Sequence, residues 1–469
     1  MKRAASIEVI LSGVLLLALF IGFHFNVLNV YFSSDEPMNI SYVWNPPLWK
    51  VGLAHLEFWS NFSRPMGAIY YLPLFKFAGF NPVPYHVVRL VLLLANTWIF
   101  YYLALSLTRS WWLAALATVP IAYHAGLAYL AYSGAFIYDI LCGGFYFAAL
   151  LYYVRLRKKA PLRIPQVFAF VGLYLCALNS KEMAVTLPVV VLSYELLFKG
   201  RNARFGPVLI TGAMTAMYIL GKTGHGSLTD IEAYRPVFTW ARFADSNTRF
   251  LNEIFYTHLF TIQRVFILWA ALLYAGVRQL RLPLPDPRWL FLWAWVVVTP
   301  LPITFLPGRG GAMLYIVLAG WAMLAVLSLR VLACRIARDI VFRGIPRRVT
   351  MLVAFAACVA VYVHETRRKD RSVWSEYMAI GSDTRDLIGE FRKINIRPAA
   401  GSRILFLNDP FPNRWVTAFT ASLIWKDPSL DIQLQQQSHL KPEEIAGMDY
   451  VFDFVDNHLV VLKPLSLGK

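Results

Sequence analysis

Two adjacent carboxylates near the start of the chain are the side chains best placed to do chemistry. Asp35 and Glu36 directly follow the first hydrophobic segment, and Arg64-Pro65 comes later in the same connecting stretch. A carboxylate can take the proton of an attacking hydroxyl group, and a guanidinium group can hold a phosphate through two parallel hydrogen bonds. A plainer interpretation is a solvated loop start, because charged residues are ordinary outside the hydrocarbon of a membrane.

Further charged and polar residues stand at the ends of other hydrophobic runs. His124 and Asp139 are one such set, and a carboxylate within a membrane is costly unless it is paired or functional. Lys181-Glu182 interrupts a long apolar run, and Arg309 lies in the glycine-rich stretch 307–311. These two segments could equally be a polar hairpin tip and a turn, although glycine-rich backbone with one arginine also suits an anion site.

The elements that carry these residues are predicted to be membrane-spanning helices. Of the 469 residues, 58% are hydrophobic and only 15% are charged, and the apolar runs are too long for strands. The first run, 7–32, is longer than the core of a signal peptide and lacks a cleavage site, so it is predicted to be a retained helix. With it, the pattern predicts a multi-pass α-helical membrane protein of about eleven transmembrane helices, the others near 87–107, 111–131, 136–154, 166–180, 183–198, 206–222, 259–277, 289–306, 311–330 and 349–364.

The distribution of lysine and arginine predicts the orientation. When successive loops are assigned to alternate sides of the membrane, starting from a cytoplasmic N-terminus, every strongly basic short loop falls in the cytoplasm. The same count places the 31–85 loop, the Lys181-Glu182 turn, Arg309 and the C-terminus outside, with a bacterial inner membrane favoured. The net charge of +18 is then explained by topology and by attraction to anionic membrane lipid, so nucleic acid is not expected as a partner.

Several other classes of site lack support in the sequence. The cysteines show no CxxC spacing and are expected to be packing residues: Cys142, Cys176, Cys334 and Cys358. No zinc-type cluster, Walker loop or GxGxxG loop occurs, and no internal repeat supports a transporter built of inverted halves. No metal site or certain cofactor is predicted, although two carboxylates could share a divalent metal ion.

Two regions outside the predicted spans have patterns of their own. The first outer loop, 31–85, is rich in aromatic residues and proline, and short interfacial helices are predicted at 55–62 and 66–77. Pro37 predicts extended backbone at Glu36. The tail reads as strands at 403–407 and 432–434, a helix at 415–425 and a hairpin across Asp456-Asn457. The predicted domains are therefore a transmembrane domain, 1–364, and a small extracytoplasmic α/β domain, 365–469.

The order of these motifs resembles a known family. In sequence they are Asp35-Glu36, Arg64-Pro65-Met66, the stretch 75–102 with His86, His124 followed by Asp139, Ser180-Lys181-Glu182-Met183-Ala184, Arg309 and Leu314-Tyr315. Over about residues 1–330 the chain resembles the GT-C superfamily of polytopic glycosyltransferases. It is most similar to the polyprenyl-phosphate-sugar-dependent enzymes of the protein O-mannosyltransferase type and to their tetratricopeptide-bearing relatives.

The resemblance implies an inverting transfer of a sugar from a polyprenyl-phosphate donor to an acceptor hydroxyl on the extracytoplasmic face. Asp35 would be the catalytic base and Glu36 would orient it or its loop, which agrees with the chemistry open to an exposed carboxylate. The donor phosphate would be held by Arg64, Lys181 and Arg309. The residues expected to position the substrate are Asp139, His124, Glu182, Tyr315 and His86.

Other functions remain open at this point. The acceptor could be a protein, a lipid or a glycan. A lipid or small-solute transporter would explain charges within the membrane, such as Asp139 and Lys181, but it explains the long outer loop and the C-terminal domain poorly. A non-catalytic scaffold derived from such an enzyme is the third alternative.

Overall fold

The computed structural model describes residues 2–60, 64–223, 232–282, 286–339, 347–394, 396–411, 415–438, 440 and 442–463. Its α-helices are α1 Lys2–His24, α2 Glu36–Trp44, α3 Leu48–Ala54, α4 Gly67–Ala78, α5 Pro82–Thr108, α6 Trp111–Ala122, α7 Ala128–Tyr132, α8 Ile137–Arg157, α9 Ile164–Leu178, α10 Leu187–Tyr194, α11 Gly206–Thr223, α12 Trp240–Ile254, α13 Ile262–Leu280, α14 Arg288–Val298, α15 Leu301–Thr304, α16 Tyr315–Asp339, α17 Arg347–Lys393, α18 Val416–Trp425, α19 Gln435–Ser438 and α20 Pro442–Ala446. The strands are β1 Arg403–Leu407, β2 Asp431–Leu434, β3 Tyr450–Val455 and β4 His458–Lys463.

The helical part is that of a multi-pass membrane protein. Among the described residues, five helices are long and apolar enough to cross a membrane, and a sixth span arises if one bent pair counts as a single span. These segments are Val9–Asn29, Pro82–Thr108, Gly134–Arg157, Glu182–Asn202, Gly311–Leu332 and the bent pair Trp111–Ala122 with Ala125–Tyr132. Helices also lie at the other predicted spans, but they fall short of these criteria, so the number eleven remains a prediction.

The bent pair has a local cause that also places a predicted site residue. Pro120 lies inside α6 and has no N–H to continue the ladder, and Tyr123 is extended at the helix end. The chain then turns by 49°. At the break, the Nδ1 atom of His124 accepts a hydrogen bond from the backbone N–H of Gly126 at 3.1 Å, so the imidazole satisfies a backbone donor that the bend exposes.

The first outer loop is largely helical. The helix predicted at 66–77 is present as α4. The helix predicted at 55–62 was wrong over 55–60, which form turns after α3, and its last two positions lie outside the described residues. Helix α3 instead begins at Leu48 after the extended Pro47. His55 ends α3, its Nδ1 atom lying 2.8 Å from the carbonyl oxygen of Val51. The extended backbone predicted at Glu36 was also wrong. Glu36 starts α2 with Pro37 in the first turn, where the missing N–H of a proline costs nothing.

The C-terminal segment forms a four-stranded sheet with the order β2-β1-β3-β4. Strand β1 is parallel to β2 and β3, and β3 pairs with β4 as an antiparallel hairpin. The predicted strands, helix and hairpin are thus confirmed, and positive φ angles of 50° and 63° at Asp456 and Asn457 suit the two-residue turn. Helix α17 runs without a break across the predicted boundary at 364–365. The division into domains and the side of the membrane remain predictions.

This α/β unit packs on the helix that follows Asp35. The rings of Tyr42 and Phe419 meet edge to face with centroids 5.7 Å apart, and the Nδ2 atom of Asn45 donates to the Oγ atom of Ser422 at 3.4 Å. Helices α2 and α18 are therefore in direct contact. The α/β unit lies on the same side of the helical part as the Asp35-Glu36 pair.

Candidate functional site

Asp35 and Glu36 are neighbours in the chain with opposite environments. Asp35 is exposed at the N-terminal end of α2, whereas Glu36 is only 1% exposed. The Glu36 Oε2 atom accepts a hydrogen bond from the backbone N–H of Ser33 at 2.6 Å, and its Oε1 atom lies 3.9 Å from the Arg89 guanidinium. Burial raises the pKa of the Glu36 carboxyl, and the charge of Arg89 opposes that rise. Glu36 therefore fixes the loop, and Asp35 is the exposed member of the pair.

Glu36 is surrounded by Arg89, His86 and Gly134. Arg89 is fully buried and donates from Nε and Nη2 to the carbonyl oxygen of Ala131, at 3.1 and 2.7 Å. His86 contacts Arg89 and lies with Nε2 2.8 Å from the carbonyl oxygen of Val30. At Gly134 a Cβ atom would come within 2.1 Å of the Glu36 Oε1 atom, so this position requires glycine. His86 belongs to a buried structural network, and its predicted role with substrate remains a prediction.

A second group of predicted residues forms two ion pairs. The Lys181 ammonium donates to both carboxylate oxygens of Asp139, at 2.7 and 2.6 Å, and both side chains are buried. The Arg64 Nη2 atom donates to the Glu182 Oε2 atom at 3.0 Å. Burial disfavours the charged form of Arg64, but the nearby Glu182 carboxylate keeps the pKa of Arg64 above its ordinary value.

The three predicted phosphate ligands converge on one carboxylate. Arg64, Lys181 and Arg309 all interact electrostatically with Glu182. Tyr234 links two of them, because the guanidinium of Arg309 lies 4.4 Å from the centroid of its ring and that of Arg64 lies 5.9 Å from it. The sequence separates these cations by more than a hundred positions, and the fold brings them to one place.

A cavity near these residues is cationic. It has a volume of about 540 Å³, and its charged lining residues are Arg249, Arg309, Lys369 and Glu253. Arg249 donates to the carbonyl oxygen of Arg309 at 2.6 Å, and Glu253 accepts from the backbone N–H of Gly311 at 2.8 Å. Three cations against one carboxylate leave a surplus of positive charge, which suits a phosphate group.

Asp35 lies within electrostatic range of Tyr377, a residue of this cavity. Tyr377 lines the cavity, and burial raises the pKa of its phenol, with a further rise from the charges of Glu376 and Asp35. Helix α17 carries both Tyr377 and Lys369, and it is held in position by Asp370, which accepts a hydrogen bond from the hydroxyl of Tyr132 at 3.0 Å. A ligand phosphate in the cavity would therefore lie near the exposed carboxylate.

An apolar cavity of about 280 Å³ adjoins the cationic one. The two share Tyr256, and the apolar cavity runs between α6 and α16 along Leu318, Trp321 and Val326. His124 also lines it, stacked on Tyr256 with ring centroids 4.4 Å apart, and its Nε2 atom lies 3.0 Å from the carbonyl oxygen of Ile254. The cationic head and apolar body of this combined space fit an amphiphile with an anionic headgroup.

A further cavity of about 360 Å³ has Tyr234 in its wall. It is also lined by Asn39 and Tyr42 of α2, by Arg64 and by Tyr138. The guanidinium of Arg64 lies 5.6 Å from the centroid of the Tyr138 ring. Asp35 directly precedes the helix that lines this cavity.

Some predicted residues lie elsewhere, and some site residues were not predicted. Tyr315 is buried against Phe147, with ring centroids 5.7 Å apart, and lines none of these cavities. The prediction missed Arg249, Glu253 and Lys369. The i, i+4 spacing of Arg249 and Glu253 on a helical pattern was the available signal, whereas Lys369 gave none. In the part of the chain that the structure describes, no three His, Cys, Asp or Glu side chains gather as a possible metal site.

The fold is similar to that of a solved membrane protein. The crystal structure of ArnT from Cupriavidus metallidurans bound to undecaprenyl phosphate superposes with a TM-score of 0.50 and 10% sequence identity, covering 96% of this chain and 93% of that one. The chain shares the fold of ArnT. No protein-family model matches the sequence, and no curated protein matches it either.

Proposed function

We propose that the protein is a GT-C-type glycosyltransferase that moves a sugar from a polyprenyl-phosphate donor to an acceptor hydroxyl with inversion. The observation that carries the proposal is an exposed carboxylate, Asp35, within electrostatic range of Tyr377 in the wall of a cationic cavity that adjoins an apolar one. Two further findings support it. The order of the motifs resembles that superfamily, and the fold is shared with ArnT, whose crystal structure is bound to undecaprenyl phosphate.

The donor phosphate is assigned to the cationic cavity. Arg309 would bind it together with Arg249 and Lys369, because charge-assisted hydrogen bonds to phosphate are the strong ones. The lipid chain would lie in the apolar groove along Trp321, where burial of apolar surface contributes about 25 cal/mol per Å². Arg64, across Tyr234 from Arg309, would add to the positive potential. Lys181 acts through the ion pair with Asp139, which holds Glu182 in place beside Arg64.

Asp35 is assigned as the general base. It takes the proton of the acceptor hydroxyl as that oxygen bonds to the anomeric carbon of the sugar, while the bond from that carbon to the phosphate oxygen breaks. The electron pair of the broken bond leaves with the phosphate, whose increased negative charge the surrounding arginines and lysine stabilise. Glu36 fixes the start of α2 and thereby the direction of Asp35.

The acceptor is assigned to the cavity lined by Arg64, Tyr42 and Tyr138. Asp35 precedes the helix that lines this cavity and interacts electrostatically with Tyr377 of the cationic one, so an acceptor hydroxyl and a donor sugar could approach each other at the carboxylate. Its tyrosines offer both apolar rings and hydroxyl groups, which suits a polar acceptor of any of the three classes left open above. Hexose identity and acceptor class are not assigned.

Replacing Asp35 with asparagine tests the function. Asp35→Asn removes the base and keeps the volume of the side chain, so transfer in membranes supplied with a lipid-linked sugar should fall by about a hundredfold or more. Because Asp35 is exposed, expression and membrane insertion should be unchanged. Asp245→Asn, at an exposed carboxylate with a side chain 59% accessible, is the matched control. Transfer by Asp35→Asn within about threefold of wild type would remove the proposed base and favour the transporter or scaffold alternatives.

A further inference from the structure

A third charged cavity lies away from Asp35, between the first outer loop and the α/β unit. It has a volume of about 310 Å³ and contains three basic side chains from three separate segments: Lys76 of α4, Arg392 of α17 and Lys426 after α18. Its other lining residues are Trp44, Phe75, Gly79, Phe80, Leu423 and Ile424. None of the described residues that line it also lines the cavities assigned to the donor and the acceptor. The cavity is therefore distinct from the proposed transfer site.

The charge of this cavity is unbalanced. Across the described ranges, no carboxylate forms a salt bridge with Lys76, Arg392 or Lys426. All three side chains are exposed, so solvent and salt screen their mutual repulsion. None of the described residues that line the cavity is acidic. An anion that entered the cavity would therefore meet three cations and no described carboxylate in its lining.

The backbone that presents these charges is itself unusual. Lys426 has φ +56° and ψ +34° in the left-handed region, which non-glycine residues seldom adopt. Gly79, which ends α4, has φ +54°. A glycine at 426 would suit that backbone better, so the lysine is present despite its conformational cost. This points to a use for the side chain of Lys426.

The walls of the cavity locate it at the membrane surface. Trp44, Phe75 and Phe80 form a continuous aromatic wall, with centroid separations of 4.9 and 5.5 Å. Next to Lys76, Phe77 is 84% exposed, and Ile69 on the same helix is 61% exposed. A helix with exposed apolar residues beside a lysine is typical of the membrane interface, where lipid covers the apolar side chains. The anions abundant at that depth are phospholipid headgroups.

We propose that this cavity binds the headgroup of an anionic phospholipid and thereby links the α/β unit to the membrane part of the protein. The phosphate would interact with Lys76, Arg392 and Lys426, and the acyl chains would leave along Phe77 into the bilayer. A single phosphate could accept charge-assisted hydrogen bonds from cations of α4, α17 and the end of α18 at once. The lipid is a structural ligand, distinct from the sugar donor.

The test measures lipid binding to the full-length protein in detergent by native mass spectrometry, with phosphatidylglycerol and phosphatidylcholine as probes. Each basic residue near an anionic headgroup contributes about fivefold in affinity. We expect wild type to prefer phosphatidylglycerol, and the triple variant Lys76→Gln, Arg392→Gln, Lys426→Gly to bind it on the order of a hundredfold more weakly. A loss of less than about fivefold in the triple variant would overturn the proposal.

Two controls separate this site from general charge effects and from misfolding. The triple variant Lys159→Gln, Arg201→Gln, Arg281→Gln removes the same charge from exposed positions elsewhere. It should lose much less phosphatidylglycerol binding than the cavity variant, because it removes only general attraction to anionic lipid; an equal loss in this control would overturn the proposal. Lys426→Gly alone should keep or raise the thermal midpoint of lipid-free protein, because glycine suits the left-handed backbone, while it weakens phosphatidylglycerol binding several-fold. Displacement of phosphatidylglycerol by millimolar inorganic phosphate would assign the cavity to a soluble anion and refute the lipid.

Discussion

Replacing Glu36 with glutamine should destabilise the protein far more than replacing its neighbour Asp35. Glu36 is 1% exposed and Arg89 is 0% exposed, with 3.9 Å between the charged groups. At an effective dielectric constant of 20, that separation corresponds to an attraction of about 4 kcal/mol. Glutamine keeps the shape of the side chain and an acceptor for the N–H of Ser33. The change therefore leaves the Arg89 charge buried without its counterion, which costs about 3–5 kcal/mol.

A double-mutant cycle isolates the pair. Arg89→Met alone leaves the Glu36 carboxylate unpaired and also deprives the carbonyl oxygen of Ala131 of its two hydrogen bonds. The double variant Glu36→Gln, Arg89→Met removes both charges, so its loss of stability should be smaller than the sum of the single losses by about 2–3 kcal/mol. The remaining loss reflects the unsatisfied carbonyl oxygen of Ala131, at about 1–3 kcal/mol.

The measurement is equilibrium unfolding in mixed micelles, followed by near-UV circular dichroism. Asp245→Asn is the control, because its exposed pair with Arg242 at 3.5 Å should contribute at most about 1 kcal/mol. If Glu36→Gln loses no more stability than Asp245→Asn, or if the single losses simply add, the buried ion pair does not hold the loop and the contrast drawn between Glu36 and Asp35 is refuted.

Other predictions concern the donor site, the second buried pair, the α/β unit and the topology. Arg309→Ala should raise the apparent KM for the lipid-linked sugar by about tenfold or more, whereas Arg201→Ala should leave that KM unchanged. Equal effects on KM in the two variants would mean that the arginines act only through net charge. Lys181→Met or Asp139→Asn should each cost about 3–5 kcal/mol in unfolding free energy, and wild-type stability in either would refute their pairing. Burial raises the pKa of Asp409, so the folded form holds the proton more tightly than the unfolded one. The stabilisation that comes from protonated Asp409 is fully present below the ordinary pKa of an aspartate, about 4, and is lost as the pH rises through the higher pKa of the folded state. Hydrogen exchange of β1, corrected for its chemical pH dependence, should reveal that loss and Asp409→Asn should flatten it; a slope unchanged in the variant would exclude this carboxyl. A reporter active only in the cytosol and fused to the C-terminus should be silent, and a signal would reverse the predicted topology.

Local patterns of the sequence were sufficient wherever a structure depends on neighbouring residues. Long apolar runs predicted helices at the right positions, because a segment surrounded by lipid must satisfy its own backbone hydrogen bonds. The strand at Arg403–Leu407 and the hairpin across Asp456-Asn457 followed from alternation and turn residues. The failures in the first outer loop were also local. There, Pro37 and Pro47 each mark the start of a helix, which the proline pattern alone did not distinguish from extended backbone.

The sequence by itself determined the class of the protein, the approximate position of its helices and the charged residues that can do chemistry. The tertiary structure decided which of those charges are paired and which face a cavity. Asp35 and Glu36 are indistinguishable as a dipeptide, but Arg89 from a distant helix pairs with one of them and leaves the other at the surface. Lys181 joins Asp139 across 42 positions, and Lys369 reaches the cationic cavity from beyond the last predicted span. Hydropathy is a sum over neighbouring residues, whereas an ion pair or a cavity depends on side chains that only packing brings together.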